Sequence, residues 1–485
     1  MNPQRLVWPA ALVVAGIGAW IMFDALPGLN WGLWTAAAAL GLVLITRARG
    51  TLDRSVVLMA ATATILGIGA SITATQPIDA LICIGVIGFL ALAMLLSVDP
   101  GLERISASFV LLAPFVAFGT ALAESFTRAG DLTRSVRSER ARGVVRGIII
   151  TVPIVIVFAL LLSNADPIFA SWRDAIAKII ETWSFIPRTV FFFALLVIVL
   201  GAYSFAAYTP ATIKPTPSET SSDHRRWIGA TERLILLSGV TALFWLFIIV
   251  QITYLFGNVP SVRGSGWSFA DYAQHGFGEI TAVATLSVIL IVVTEKFGRA
   301  DGSAATIKAL TLAMLVSVFV LLVSAFRRVI LYEDAYGFTV SRLYAQVYMI
   351  VLGVALIALA IGVMTVLDIR SLFRRVFATA ALAFLVLVFW NHEAWIASTN
   401  IDRFATTGKL DAKYLGRELG PNAVPVIVER MPNLPEPQRI DLRTNLQTAY
   451  GLRQRMFANR WYEWNYRRQR AKEALATIGI IPTAD

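Results

Sequence analysis

Apolar residues in this chain come in unbroken runs of about 18 to 25, without the strict alternation of a half-buried strand. Such runs occupy 6–23, 29–46, 56–73, 78–97, 147–165, 188–209, 231–256, 280–296, 307–325, 345–367 and 376–397. Each is long enough to cross a bilayer as a helix. In lipid only a helix satisfies its own backbone over such a length, and the missing alternation excludes a barrel. The pattern therefore predicts an all-α, polytopic transmembrane helix bundle of about 11 spans. A twelfth run, 105–123, contains Pro114 and Gly119 and leads into the arginine-rich stretch RAGDLTRSVRSERARGVVR.

The polar residues between the runs decide whether 105–123 crosses, because Lys and Arg concentrate in cytoplasmic connections. With 105–123 outside the count and the N-terminus inside, the inner connections before residue 398 hold twenty-one Lys and Arg, and the outer ones seven. If 105–123 crosses, the contrast falls to sixteen against twelve. The larger bias favours 11 spans in a cytoplasmic membrane, N-terminus inside and C-terminal region outside. Met1–Phe23 reads as a span and not a cleaved signal, since DALPGLN offers no small-residue cleavage site.

Three regions follow: 1–146, the first spans plus a basic inner loop; 147–397, a transmembrane core; and 398–485, a helical tail that is soluble or lies on the membrane surface. The linker TPATIKPTPSETSSDHRR, 209–226, is rich in Pro, Ser and Thr, as an inner loop would be. The tail carries 14 Lys and Arg against 9 Asp and Glu. Its stretch RQRMFANRWYEWNYRRQRAKEAL is expected to pack as a helix at the membrane surface or against a collar of outer polar segments, its four large aromatics shielded and its arginines facing anionic head groups or outer-loop carboxylates. An outer location disfavours nucleic acid as a partner of this mixture.

Composition narrows the chemistry. Charged residues make up 15% of the chain, hydrophobic residues 57%, and the mean hydropathy is +0.69. The one cysteine, Cys83, lies in an apolar run, so no intrachain disulfide forms and no cysteine-based metal site or redox pair can be built. His224, His275 and His392 stand far apart in sequence, and a surface or interfacial role is expected of each. The central parts of the spans hold no Asp, Glu, Lys, Arg or His, which disfavours an ion-coupled transporter. No nucleotide-binding, metalloprotease or nucleophile motif occurs, so no cofactor, metal or catalytic residue is assigned.

Polar side chains gather instead in segments capping what this topology makes the outer span ends. These are SNADPIFASW with Asp166, WSFADYAQHGFGEI with Asp271 and His275, FRRVILYEDAYGFTVSR, and NHEAWIASTNIDRF with Glu393, Asn400 and Arg403. In the third segment, Arg328, Tyr332 and Tyr336 are four apart and share a helical face. Gly337 can end that helix, and Thr339 can cap the next. Two readings are open. Arg327 and Arg328 can pair with Glu333 and Asp334 while the tyrosines form an interfacial belt. Alternatively, these groups and Arg342 converge with Asp166, Asp271 and Glu393 in a collar that binds a polar ligand or lipid head group.

At these segments the chain resembles an uncharacterised family of bacterial polytopic membrane proteins, the domain of unknown function DUF4173, with its relative DUF4153. The resemblance runs from about Gly147 to Ala474. It is carried by LLLSNADPIFA, FADYAQHGFGEI, SAFRRVILYEDAYGFTVSRLYAQ, NHEAWIASTNIDRF, GKLDAKYLGRELGPNAVPVI and WNYRRQRA. The chain departs from the family's pattern at Gln274-His275, where a basic residue is usual, and within IASTN, where an Arg is usual. The resemblance implies a membrane bundle with an outer helical tail and brings no activity or cofactor. Taken together, the residues suit a non-catalytic sensor, assembly or scaffold protein whose outer collar binds a partner, an anionic lipid or another envelope component. A membrane-embedded enzyme acting on lipid-linked substrates, or a transporter, is the alternative.

Overall fold

The computed structural model describes residues 2–133, 185–210, 230–255, 277–297, 304–365, 367–451, 457 and 460–481. Among them every regular element is helical. The helices are α1 Pro3–Ile21, α2 Leu29–Arg49, α3 Arg54–Gly69, α4 Gln76–Leu96, α5 Ala107–Thr133, α6 Phe185–Tyr208, α7 Ala230–Leu255 and α8 Phe277–Phe297. They continue with α9 Ala304–Tyr336, α10 Val340–Met364, α11 Ile369–Phe389, α12 His392–Thr407, α13 Val424–Arg430, α14 Glu436–Tyr450 and α15 Tyr466–Thr477. Nine of the described helices are long and apolar enough to cross a membrane, and two more, Arg54–Gly69 and Ile280–Glu295, are apolar but shorter. The chain is a multi-pass, all-α membrane protein. The nine include Ala107–Ser125, the run whose crossing the charge count disfavours; the expected span 147–165 lies outside the described residues.

Local chemistry sets the helix ends. The Asn2 side chain accepts from Gln4 N at 3.0 Å, with Pro3 as the first helical residue, and Asp53 accepts from Ser55 N at 2.7 Å to start α3. Helix α2 stops at Gly50 and α9 at Gly337, at φ 79° and 88°, the left-handed conformation that glycine adopts without strain. The last span is shorter than its apolar run. Helix α11 ends at Phe389, Trp390 is extended, and Asn391 caps α12 by accepting from Ala394 N at 3.3 Å. A capping Asn outcompetes continuation of a run that is still apolar in sequence.

The described contacts divide between two compact units. One holds 1–104, 108–213 and 455–469; the other holds 105–107, 214–454 and 470–485. In the first, α6 packs along α1 and α2 through small residues. A Cβ on Gly18 would lie 2.5 Å from Leu195, and one on Gly41 would lie 2.2 Å from the Tyr203 hydroxyl, which donates to Ala38 O at 2.8 Å. Helices in lipid gain little from hydrophobic association, so close backbone approach and hydrogen bonds of this kind hold them together. At one end of this unit, Arg49 donates to Ala206 O at 2.6 Å and to Thr209 O, satisfying carbonyls that α6 leaves open.

The opposite end is tied by the tail. Leu29 N donates to Trp464 O at 3.0 Å, and Tyr466 N donates to Ser71 O at 2.7 Å. Asn465, 1% exposed, donates to Ala70 O and Thr73 O at 2.8 and 2.6 Å. Arg468, 7% exposed, donates to Pro27 O at 2.8 Å and stands 3.7 Å from Asp79. Within the chain itself Tyr462 is the tail aromatic that is buried, while Trp461, Trp464 and Tyr466 lie on its surface and Asn465 and Arg468 are buried. The α1–α2 and α3–α4 turns present open carbonyls, and donors satisfy those better than apolar rings do.

In the second unit, α9 is the central helix. Its Met314, Leu315, Val318, Leu321, Leu322 and Ala325 pack against Leu237 and Ile248 of α7, Ala284 and Ile291 of α8, and Met349, Leu352, Leu356 and Leu359 of α10. At one end Arg233 meets Glu295 at 2.5 Å. The other end, where α9 turns into α10 and α11 into α12, carries the polar site.

Candidate functional site: a basic pocket at the α9–α10 turn

Helix α9 continues eleven residues past the expected span end at 325 and brings the segment from Phe326 to Tyr336 onto its last three turns. There Glu333, 2% exposed, accepts from Gln346 Nε2 of α10 at 2.7 Å, and Arg328 is also buried, at 6%. The Tyr332 and Tyr336 rings stand 4.9 Å apart, as their spacing of four predicts. Gly337 N closes α9 on Glu333 O at 2.7 Å, and Thr339 Oγ1 accepts from Arg342 N at 3.4 Å to open α10.

Helix α12 and the turn after it close over this connection. Asn400 reads the Phe338 backbone twice: Oδ1 accepts from Phe338 N and Nδ2 donates to Phe338 O, both at 2.8 Å. Arg403 donates to Asp334 O at 3.0 Å and to Ala335 O at 2.6 Å, which places a guanidinium at the carbonyl end of α9. The Tyr414 hydroxyl, on the π-turn Tyr414–Glu418, accepts from Val340 N at 2.8 Å. Arg342 donates to Gly337 O and lies 4.1 Å above the Tyr332 ring, a cation–π contact. These elements enclose a pocket of about 200 Å³ lined by Tyr336, Phe338, Arg342, Asn400, Arg403, Lys409, Asp411 and Tyr414, with Thr339, Leu410 and Leu415 completing its wall.

Beside it lies a buried polar pair of residues at the start of α12. His392 is fully buried: Nδ1 faces Trp390 O at 3.3 Å and Nε2 faces the Tyr344 hydroxyl at 3.2 Å. A carbonyl can only accept, so Nδ1 carries the proton and Nε2 accepts from Tyr344. Burial pushes the His392 imidazole below its ordinary range, although the carbonyl of Trp390 works the other way. Glu393, 2% exposed, accepts from Gly420 N at 3.2 Å. Burial, with the Glu393 and Glu418 carboxylates nearby, pushes the Tyr414 phenol up to about 12.

The structure therefore gathers Arg342, Asn400 and Arg403 around one pocket, while Asp334 does not line it and takes part through its backbone carbonyl, which accepts from Arg403. Arg328, Glu333 and Glu393 are buried and do not line it, and Arg327 is exposed on α9. Asp166, Asp271 and His275 lie outside the described residues. The buried position of His392 departs from the surface role expected of it, because the break at Trp390–Asn391 turns it inward. Lys409, Asp411 and Tyr414 were not singled out in the sequence; they belong to GKLDAKYLGRELG, a stretch that only the returning chain sets against the α9–α10 turn. Among the described residues no group of three His, Cys, Asp or Glu side chains could hold a metal ion.

The family model described as "Domain of unknown function (DUF4153)" matches residues 55–430, a stretch that includes both α9 and α12 and starts well before the Gly147 expected from the motifs. No curated protein and no solved structure matches the chain.

Proposed function

From the premise that the chain belongs to the DUF4153 family, we propose that it is a non-catalytic binding protein of the bacterial cytoplasmic membrane, N-terminus inside, whose pocket at the α9–α10 turn takes an anionic group on the outer face. The observation carrying this reading is the lining of the pocket: Arg342, Arg403 and Lys409 against the single carboxylate of Asp411, with tyrosine and asparagine groups between them. A phosphate or carboxylate of a lipid or other envelope component matches that charge and size. Its walls come from both a membrane helix turn and the chain that follows the last span, so an occupant would bridge the two. That bridging suits a sensor or scaffold, in which binding on one side fixes the position of a following segment.

Lys409 is the group to change, because Arg342 and Arg403 also hold backbone carbonyls. Full-length protein in nanodiscs should retain phosphatidylglycerol over phosphatidylcholine by native mass spectrometry. Lys409→Ala should weaken that retention about tenfold, the loss expected for one charge-assisted hydrogen bond. Equal retention of the two lipids, with Lys409→Ala behaving as wild type, rejects a lipid phosphate as the occupant.

A further inference from the structure

The tail and the α1–α2 turn of the first unit enclose a second cavity, of about 400 Å³, lined by Met22, Asp24, Ala25, Leu26, Phe457, Arg460 and Glu463. It shares no residue with the pocket at the α9–α10 turn. Its polar groups come from two segments more than 430 positions apart, and each segment fixes the other. Arg460 Nη1 donates to Asp24 O at 3.2 Å. Glu463, 6% exposed, accepts from Leu26 N through Oε1 and from Arg460 N through Oε2, both at 3.3 Å. The two backbones approach so closely that a Cβ on Gly28 would lie 2.5 Å from Glu463 O. Asp24 is the one non-glycine with positive φ among the described residues, at 48°.

Arg460 Nη1 lies 3.9 Å from Glu463 Oε1, so two carboxylates and one guanidinium give this cavity a net negative charge with its positive group beside Glu463, while Met22, Leu26 and Phe457 supply an apolar wall. Exposed Trp20, Trp461, Trp464 and Tyr466 stand at the same end of the unit. Exposed Trp and Tyr at helix ends mark the depth of lipid head groups. We propose that this cavity binds the zwitterionic head group of an aminophospholipid, the ammonium at Asp24 and Glu463, the phosphate at Arg460, and the glycerol and first methylenes along the apolar wall. A primary ammonium donates hydrogen bonds to carboxylates. A trimethylated one cannot, and a glycerol head group brings no cation.

The test uses full-length protein in nanodiscs of equal phosphatidylethanolamine, phosphatidylcholine and phosphatidylglycerol, with retained lipid read by native mass spectrometry. Phosphatidylethanolamine should be retained over phosphatidylcholine. Asp24→Asn should lower that retention about tenfold, while the Lys409-dependent retention of phosphatidylglycerol stays unchanged. Asn tolerates the left-handed conformation of position 24, so the turn keeps its shape. O-phosphoethanolamine without acyl chains should fail to displace the lipid, lacking contact with the apolar wall. Equal retention of the ethanolamine and choline lipids, an Asp24→Asn protein that binds as wild type, or displacement by free O-phosphoethanolamine overturns the assignment.

Discussion

Gly337 shows how one position can be legible in the sequence and still owe its necessity to a distant contact. A glycine between a helical run and a capping threonine reads as a helix stop, and φ 88° agrees. The distant part is Asn400, whose Oδ1 lies 2.6 Å from where a Cβ would stand. Gly337→Ala combines left-handed strain with that clash. It should cost about 1–3 kcal/mol, read as a lower Tm of the detergent-solubilised protein. His392 is the contrary case, since its neighbours in sequence give no sign of burial. Its folded-state pKa is lowered, so between that value and the unfolded value of about 6.5 the unfolded chain binds more protons than the folded one. Its contribution is complete above the unfolded pKa and is lost as pH falls toward the folded one. Tm should therefore fall between pH 7.5 and 5.5, and His392→Gln should flatten that dependence even if it lowers Tm at the upper end.

At the scale of elements, what could be read locally was read. Apolar runs became helices because each span satisfies its own backbone, and caps such as Thr339 act within four residues. The tail obeyed a different rule. Segment 460–468 is ordered by carbonyls at positions 27 and 70–73, which no window of sequence contains. For the same reason Lys409 and Tyr414 could not be placed at the α9–α10 turn beforehand, whereas Arg342, Asn400 and Arg403 were found because they cap span ends. Asn465→Ala removes two donors from buried carbonyls and should cost roughly 1–3 kcal/mol. Hydrogen exchange should then rise at Leu29 and Tyr466, whose amides bridge tail and turns, and stay unchanged in α12. Unaltered exchange at both amides would mean that Arg468 and Glu463 hold the tail without Asn465.

At the scale of the whole molecule, the course of the chain through the membrane turns on α5. Gly101 N donates to Ser55 Oγ at 3.2 Å, so α5 is entered from the end of the first unit that carries Arg49 and Arg54. Further along, the Arg128 guanidinium lies 3.4 Å above the ring of Tyr208, next to the Thr209 carbonyl that Arg49 also holds. Between these two places Ser125 Oγ donates to Val197 O near the middle of α6, so the expectation that α5 stays on one side rests on the charge bias of the flanking connections, which is larger when it does not cross. Cysteines placed at Ala107 and Thr133 in a Cys83→Ala background should react with an impermeant reagent from the same side. Labelling from opposite sides would restore the crossing and invert the orientation of α1–α4.

The strap formed by residues 460–468 also bears on how the protein is made. Asn465 lies 395 positions after the Ala70 carbonyl it satisfies. At a translation rate of about 5–20 residues per second, the α3–α4 hairpin waits roughly 20–80 s in the membrane before its partner leaves the ribosome. The α3–α4 hairpin is thus made long before the segment that completes it, so its finished form depends on a part of the chain that arrives 395 positions later.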